Sequence, residues 1–128
     1  MVDAFLAELR RQTTLFIAID PTSIEAIPVT KEILPGGGSK MVDGAKRPPE
    51  NVKVIWPGGM TSGIFSNFDG EDVQYDMIVV AEHDSPISYG DYWFDETGVK
   101  YVVEGFAPNN FYEKKAGVKV YGVGPVGG

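Results

Sequence analysis

Val73-Gln74-Tyr75-Asp76-Met77-Ile78-Val79-Val80-Ala81-Glu82 is the stretch that decides the fold. Successive side chains of an extended chain point to opposite sides, so Val73, Tyr75, Met77, Val79 and Ala81 form one unbroken apolar face. Gln74, Asp76, Ile78, Val80 and Glu82 form the other, polar at its ends and apolar in its middle. That is the pattern of a central strand buried on one side and partly covered on the other. The segment is read as the spine of a β structure passing under a lid. Working outward, Val52, Val54 and Trp56 alternate with Asn51, Lys53 and Ile55. Tyr92-Trp93-Phe94, the turn Asp95-Glu96-Thr97-Gly98, and Val99, Tyr101 and Val103 read as a hairpin in which Gly98 supplies a positive φ. Tyr112 to Tyr121 is the last predicted strand. The predicted helix spans residues 3–19, capped by Asp3, with Phe5, Leu6, Leu9, Phe16 and Ile17 at roughly helical spacing. Its apolar face suits either a lid on the core or an arm docked on a neighbouring subunit. The fold class expected is mainly β: a small β-barrel over residues 22–121 with long inter-strand loops and one short N-terminal helix. Residues 122–128, rich in glycine and without periodicity, form a flexible tail.

Composition narrows the function. A chain of 128 residues, 43% apolar, supports one domain with a real core. Gly 16 and Pro 9 make it turn-rich, yet below the share typical of disordered chains. Cys 0 excludes disulfides, thiolate zinc sites and a cysteine nucleophile, and His 1 excludes a histidine-rich metal site. No cofactor is expected. The start splits its apolar residues with Arg10 and Arg11, unlike a signal peptide, and no apolar run is long enough to cross a bilayer, so a soluble cytoplasmic protein without a membrane partner is expected.

The net charge of −7 disfavours non-specific capture of DNA, but the charge is segregated. Nine acids and no lysine or arginine lie between Asp69 and Glu96, among them Asp69, Glu71, Asp72, Asp84 and Asp91, which are read as an acidic inter-subunit face. Two long loops flank the spine. Pro35 to Pro49 carries Gly36-Gly37-Gly38 and the bases Lys40, Lys46 and Arg47; Pro57 to Gly70 carries Phe65 and Phe68 as candidate contacts with another chain. One acidic face and one basic loop let copies bind head to tail and close into a ring.

Motifs that tempt toward chemistry fail on geometry. His83-Asp84-Ser85 has the residue types of a hydrolytic triad, but neighbours on an extended chain face opposite ways. Gly36-Gly37-Gly38-Ser39-Lys40 lacks the ending and the helix of a phosphate loop and is read as a flexible hairpin tip. Asp69-Gly70-Glu71-Asp72 lacks the alternating acids and distal glutamate of a calcium loop.

A resemblance adds to this reading. Pro21 to Val29, Gly36-Gly37-Gly38, Gly44 to Glu50, Ile87 to Trp93 and Tyr101-Val102-Val103 occur in an order similar to that of the head-to-tail stopper, or head-closure, proteins of long-tailed bacteriophages, especially those of actinobacterial hosts. The resemblance covers Phe5 to about Tyr121. It implies a non-enzymatic structural protein of the virion neck, made in the host cytoplasm and repeated in a ring of roughly six or twelve copies. Its partners would be further copies of itself, the portal and adaptor above, the tail terminator or tube below, and double-stranded DNA in the lumen. In such proteins one long inter-strand loop projects into the channel. By position the matching loop is Pro35 to Pro49, with Lys40, Lys46 and Arg47 as DNA-gating or neighbour contacts; the competing loop, Pro57 to Gly70, ranks lower because it has no base from Pro57 to Phe68. The alternative within the same assembly is another neck component, an adaptor or a tail terminator. The rival classes are a ligand-binding β-barrel module using Trp56, Tyr92 and Trp93, and a small hydrolase around His83.

Overall fold

In the computed structural model, residues 4–56, 64–66 and 72–122 are described, 64–66 and 72–74 for their backbone alone. The helix α1 (Ala4–Ile19) is followed by ten strands: β1 (Thr22–Ile24), β2 (Val29–Ile33), β3 (Ser39–Asp43), β4 (Glu50–Ile55), β5 (Ile64–Ser66), β6 (Asp72–Gln74), β7 (Met77–Glu82), β8 (Tyr92–Phe94), β9 (Lys100–Phe106) and β10 (Glu113–Tyr121). Six of them form one sheet in the order β1-β4-β7-β10-β9-β8, and every neighbouring pair is antiparallel. Just past β1, Ile27 and Tyr92 exchange both backbone hydrogen bonds, at 2.8 and 3.1 Å, and bring the two edge strands together. The sheet therefore curls into a nearly closed barrel, which removes most of the exposed edge that a flat sheet would carry. The expected mainly β barrel with one N-terminal helix is the fold found.

The spine behaves as its alternation requires, over part of its length. Met77, Val79 and Ala81 point into the barrel with Ile24, Val52, Trp93, Val103, Ala116 and Val118. Ile78 and Val80, on the other face of β7, are buried where α1 packs on β4 and β7 with Ile17 and Thr13. Polar contacts on the same face fix the helix: the Thr14 hydroxyl donates to Glu82 at 2.9 Å, and the Lys53 ammonium lies over the Phe16 ring. Asp3, expected to cap this helix, lies outside the described residues.

Two expectations are corrected. Val73 to Ala81 is not one strand; it breaks at Tyr75 and Asp76 into β6, which pairs with β5, and β7, which joins the barrel. Tyr75 is the cause. Its buried ring lies across Gly105 and Gly117, which face each other on β9 and β10, next to a bulge between Gly117 and Val118. A Cβ at Gly105 would sit 1.9 Å from the Tyr75 hydroxyl, and one at Gly117 would sit 2.4 Å from the ring. Two opposed glycines make a slot that only backbone can line. Asp76 then ties the break to β10: its N–H donates to the Val118 carbonyl at 3.0 Å, and its carboxylate accepts from the Val120 N–H at 2.9 Å.

The second correction concerns the Pro35 to Pro49 loop. Ser39–Asp43 within it is β3, paired with β2 in register from Val29↔Asp43 to Ile33↔Ser39. The turn between them, with Gly36 and Gly37 at φ of 92° and 101°, is the hairpin tip read from the glycine run.

The tyrosine slot makes a direct prediction. Gly117→Ala should lower stability by about 1–3 kcal/mol through overpacking. Gly122→Ala, whose Cβ would meet nothing within 4 Å, should stay within about 0.5 kcal/mol of wild type. Urea unfolding followed by tryptophan fluorescence measures both.

Candidate functional site

The basic segment leaving the β2–β3 hairpin is where the sequence placed its site, and the structure gives each of its three bases a carboxylate. Lys40 Nζ lies 3.6 Å from Glu32 Oε1 across the hairpin, and Lys46 Nζ lies 3.8 Å from Glu25 Oε1; all four side chains are exposed. Such pairs contribute about 0–1 kcal/mol and exchange readily with other partners.

Arg47 differs in kind. Its Nη1 donates to Asp91 Oδ2 at 2.5 Å, with the Arg47 side chain 23% and the Asp91 side chain 2% exposed. The same oxygen accepts from the Ser88 N–H at 2.8 Å. Around this pair the backbone closes: Arg47 N–H donates to the Ala26 carbonyl and Val103 N–H to the Asp91 carbonyl, both at 2.9 Å. Arg47 and Asp91 therefore clamp the segment after β3 and the turn before β8 to the seam bridged by Ile27 and Tyr92. The reading of Asp91 as part of an exposed acidic face is corrected, because it is a buried partner. Arg47 likewise is held inside its own chain and is not a free cation for DNA or a neighbour.

The other predicted acids divide. Asp84 is exposed, beside a shallow cleft that also holds Glu50 and Glu82. Asp72 lies on β6 and Phe65 on β5, described for their backbone alone, while Asp69, Glu71 and Phe68 lie outside the described residues. His83-Asp84-Ser85 is not assembled as a relay. The buried Ser85 hydroxyl accepts from the Ile87 N–H at 3.1 Å, and His83 Nδ1 is buried with no hydrogen-bond partner among the described residues. Among those residues no group of three His, Asp or Glu side chains could hold a metal ion, and no helix is long and apolar enough to cross a membrane.

Two surfaces come together that sequence reading missed. The first is the outward hairpin. Register puts Lys31, Ile33, Ser39 and Met41 on one of its faces and the Glu32–Lys40 pair on the other. Ile33 and Met41 are 71% and 64% exposed. The second is a groove of about 330 Å³ at the opposite end of the seam, where β1 begins. Trp56 and Phe94 stand exposed on its walls, Trp93 and Tyr101 stack beneath them at 5.9 Å between ring centroids, and Asp20 and Asp95 supply its charge; no lysine or arginine lines it. Trp56 alternates with Val52 and Val54 in sequence, but β4 ends at Ile55 and leaves the indole 56% exposed. Trp93 is buried, as alternation required of one of Tyr92 and Trp93.

Asp95 anchors the turn beside this groove. Hydrogen bonds from the Thr97 hydroxyl and the Tyr101 phenol, then from the Thr97 and Val99 N–H groups, hold its carboxyl down at about 2. Burial, followed by the same bond to Asp95, pushes the Tyr101 phenol up to about 12, so it stays a donor at neutral pH.

Two predictions follow from these pairs. Arg47→Ala strands a buried carboxylate and should destabilise the fold by about 3 kcal/mol, against at most about 0.5 for Lys46→Ala; urea unfolding decides. Because the folded pKa of Asp95 is depressed, its stabilising effect is complete above the unfolded value near 3.8 and is lost as pH falls toward about 2. The stability difference between wild type and Asp95→Asn should be constant from pH 5 upward, shrink as pH falls below about 4, and level off only below about 2.

No family model matches the chain, and neither the curated proteins nor the solved structures contain a match to it.

Proposed function

We propose that the chain is a ring-forming structural protein of the bacteriophage neck, a head-to-tail stopper. In this role it closes the DNA-filled head, gates the passage of duplex, and joins the portal and adaptor side to the tail without chemistry of its own. The observation that carries the reading is a compact barrel with an exposed two-stranded projection. A projection that exposes apolar Ile33 and Met41 on one face is suited to burial against a neighbour. The order of motifs shared with stopper proteins supports the same reading. So does the charge: copies of −7 set around a lumen give an acidic wall that repels phosphate and lets DNA slide.

The pairing of charges refines the role of the Pro35 to Pro49 loop. With Arg47 held by buried Asp91, and with apolar Ile33 and Met41 exposed beside the two remaining bases, contact with a neighbouring copy suits the loop better than clamping DNA. A second reading, a small-ligand module, draws on one observation, the exposed Trp56 and Phe94 over the groove.

Native mass measurement with electron microscopy of the purified protein and of the portal-containing particle separates these. Closed rings at the junction of head and tail are expected. A monomer with a saturable small-ligand site, absent from the particle, overturns the proposal in favour of the module. An adaptor or a tail terminator would be placed one layer above or below. Lys40→Glu with Lys46→Glu should leave DNA retention and ejection within about twofold of wild type, since surface pairs of this kind contribute little.

A further inference from the structure

The outward hairpin and the aromatic groove match each other. The hairpin face made by Lys31, Ile33 and Met41 presents two exposed apolar side chains around a lysine that makes no ion pair among the described residues. Asp43, at the base of that face, already accepts from the Tyr92 hydroxyl at 2.7 Å. The groove presents the complement: apolar walls of Trp56 and Phe94, with Asp20 and Asp95 and no base. The two lie at opposite ends of one seam. The groove opens where β1 begins, whereas the hairpin leaves beyond Ile27, where the chain bridges to Tyr92. Five residues per strand carry the hairpin about 17 Å from its base. Its strand residues are exposed apart from Val29 and Val42, so it stands clear of its own barrel.

We propose that the β2–β3 hairpin of one copy docks in the Trp56–Phe94 groove of the next. Lys31 then meets Asp20 and Asp95, and Ile33 and Met41 cover the two aromatic rings. Plug and socket are different patches of one surface, so the contact is heterologous and propagates from copy to copy until the rotation closes a ring. Opposite charges steer the encounter and set its register, while the rings and the hairpin's apolar residues supply the buried area. The inference deepens the ring reading above by naming its interface, and it needs no DNA, portal or tail.

The cysteine-free chain makes the test clean. Met41→Cys and Phe94→Cys are made in separate chains, mixed and mildly oxidised, with Gln12→Cys on the exposed side of α1 replacing either one as control. The expected result is a disulfide dimer joining the two different variants, several-fold above the control pairs. The double variant should give a ladder of linked chains ending at the mass of the ring. Lys31→Glu should raise the concentration needed for assembly about tenfold, and Asp20→Lys in the same chain should restore part of it. No mixed dimer above control, at concentrations up to about 1 mM where even weak association is populated, overturns the docking. Rings without the cross-link remove this interface and leave the ring reading in place; monomers throughout remove both.

Discussion

The fold depends on closing a curled sheet along a seam with very little hydrogen bonding of its own. Ile27 and Tyr92 supply a single two-bond bridge between the edge strands, and Ile27 itself sits in the short coil between β1 and β2. The Arg47–Asp91 pair closes it. A carboxylate this deeply buried is costly to desolvate unless it is paired and hydrogen-bonded, and the guanidinium and the Ser88 N–H both donate to its Oδ2. Once it is met, the segment after β3, the turn before β8 and the middle of β9 at Val103 are held in one place. The hairpin is then aimed away from the barrel, and the groove is framed at the other end.

A second constraint works where β9 and β10 pair. Tyr75 seated over Gly105 and Gly117 makes the spine turn out of the sheet, so that β5 and β6 form a hairpin of their own. The barrel thus carries two outlying strand pairs: β5–β6 leaves where Tyr75 and Asp76 interrupt a run that local pattern alone would continue, and β2–β3 leaves just past the Ile27–Tyr92 backbone bridge. Outlying elements on a rigid closed core are well placed to engage neighbours, because their ordering is settled by the core and little further entropy is lost on contact.

What could be read from the sequence is what local pattern controls. The helix, the alternation of β7, the β8–β9 hairpin with its Gly98 turn, and the last strand follow from spacing that neighbours in sequence share. The break at Asp76 was hidden because Val73 to Ala81 alternates without a fault, and its cause lies in glycines roughly thirty and forty residues further on. β3 was masked by the glycine run before it, although Met41 and Val42 between polar residues, a short turn after Val29 to Ile33, carried a faint strand signal. The fate of Arg47 and Asp91 was not legible at all: charge segregation along the chain says which residues are charged, whereas burial and pairing depend on which segments the barrel brings together. Lys40 and Lys46 do lie on the exposed side of the chain, where the reading put them, and the stopper identity rests on motif order and remains a proposal.

The central claim is that the charge of Arg47 is used within the subunit and that copies meet through the hairpin. The measurement that tests it most directly is side-chain-resolution imaging of the assembled particle. Each hairpin should lie over the Trp56 and Phe94 rings of the adjacent copy, with Arg47 and Asp91 still paired inside every subunit. Hairpins lining the lumen with Lys40 on the DNA, or Arg47 released from Asp91 to reach a phosphate, would contradict it.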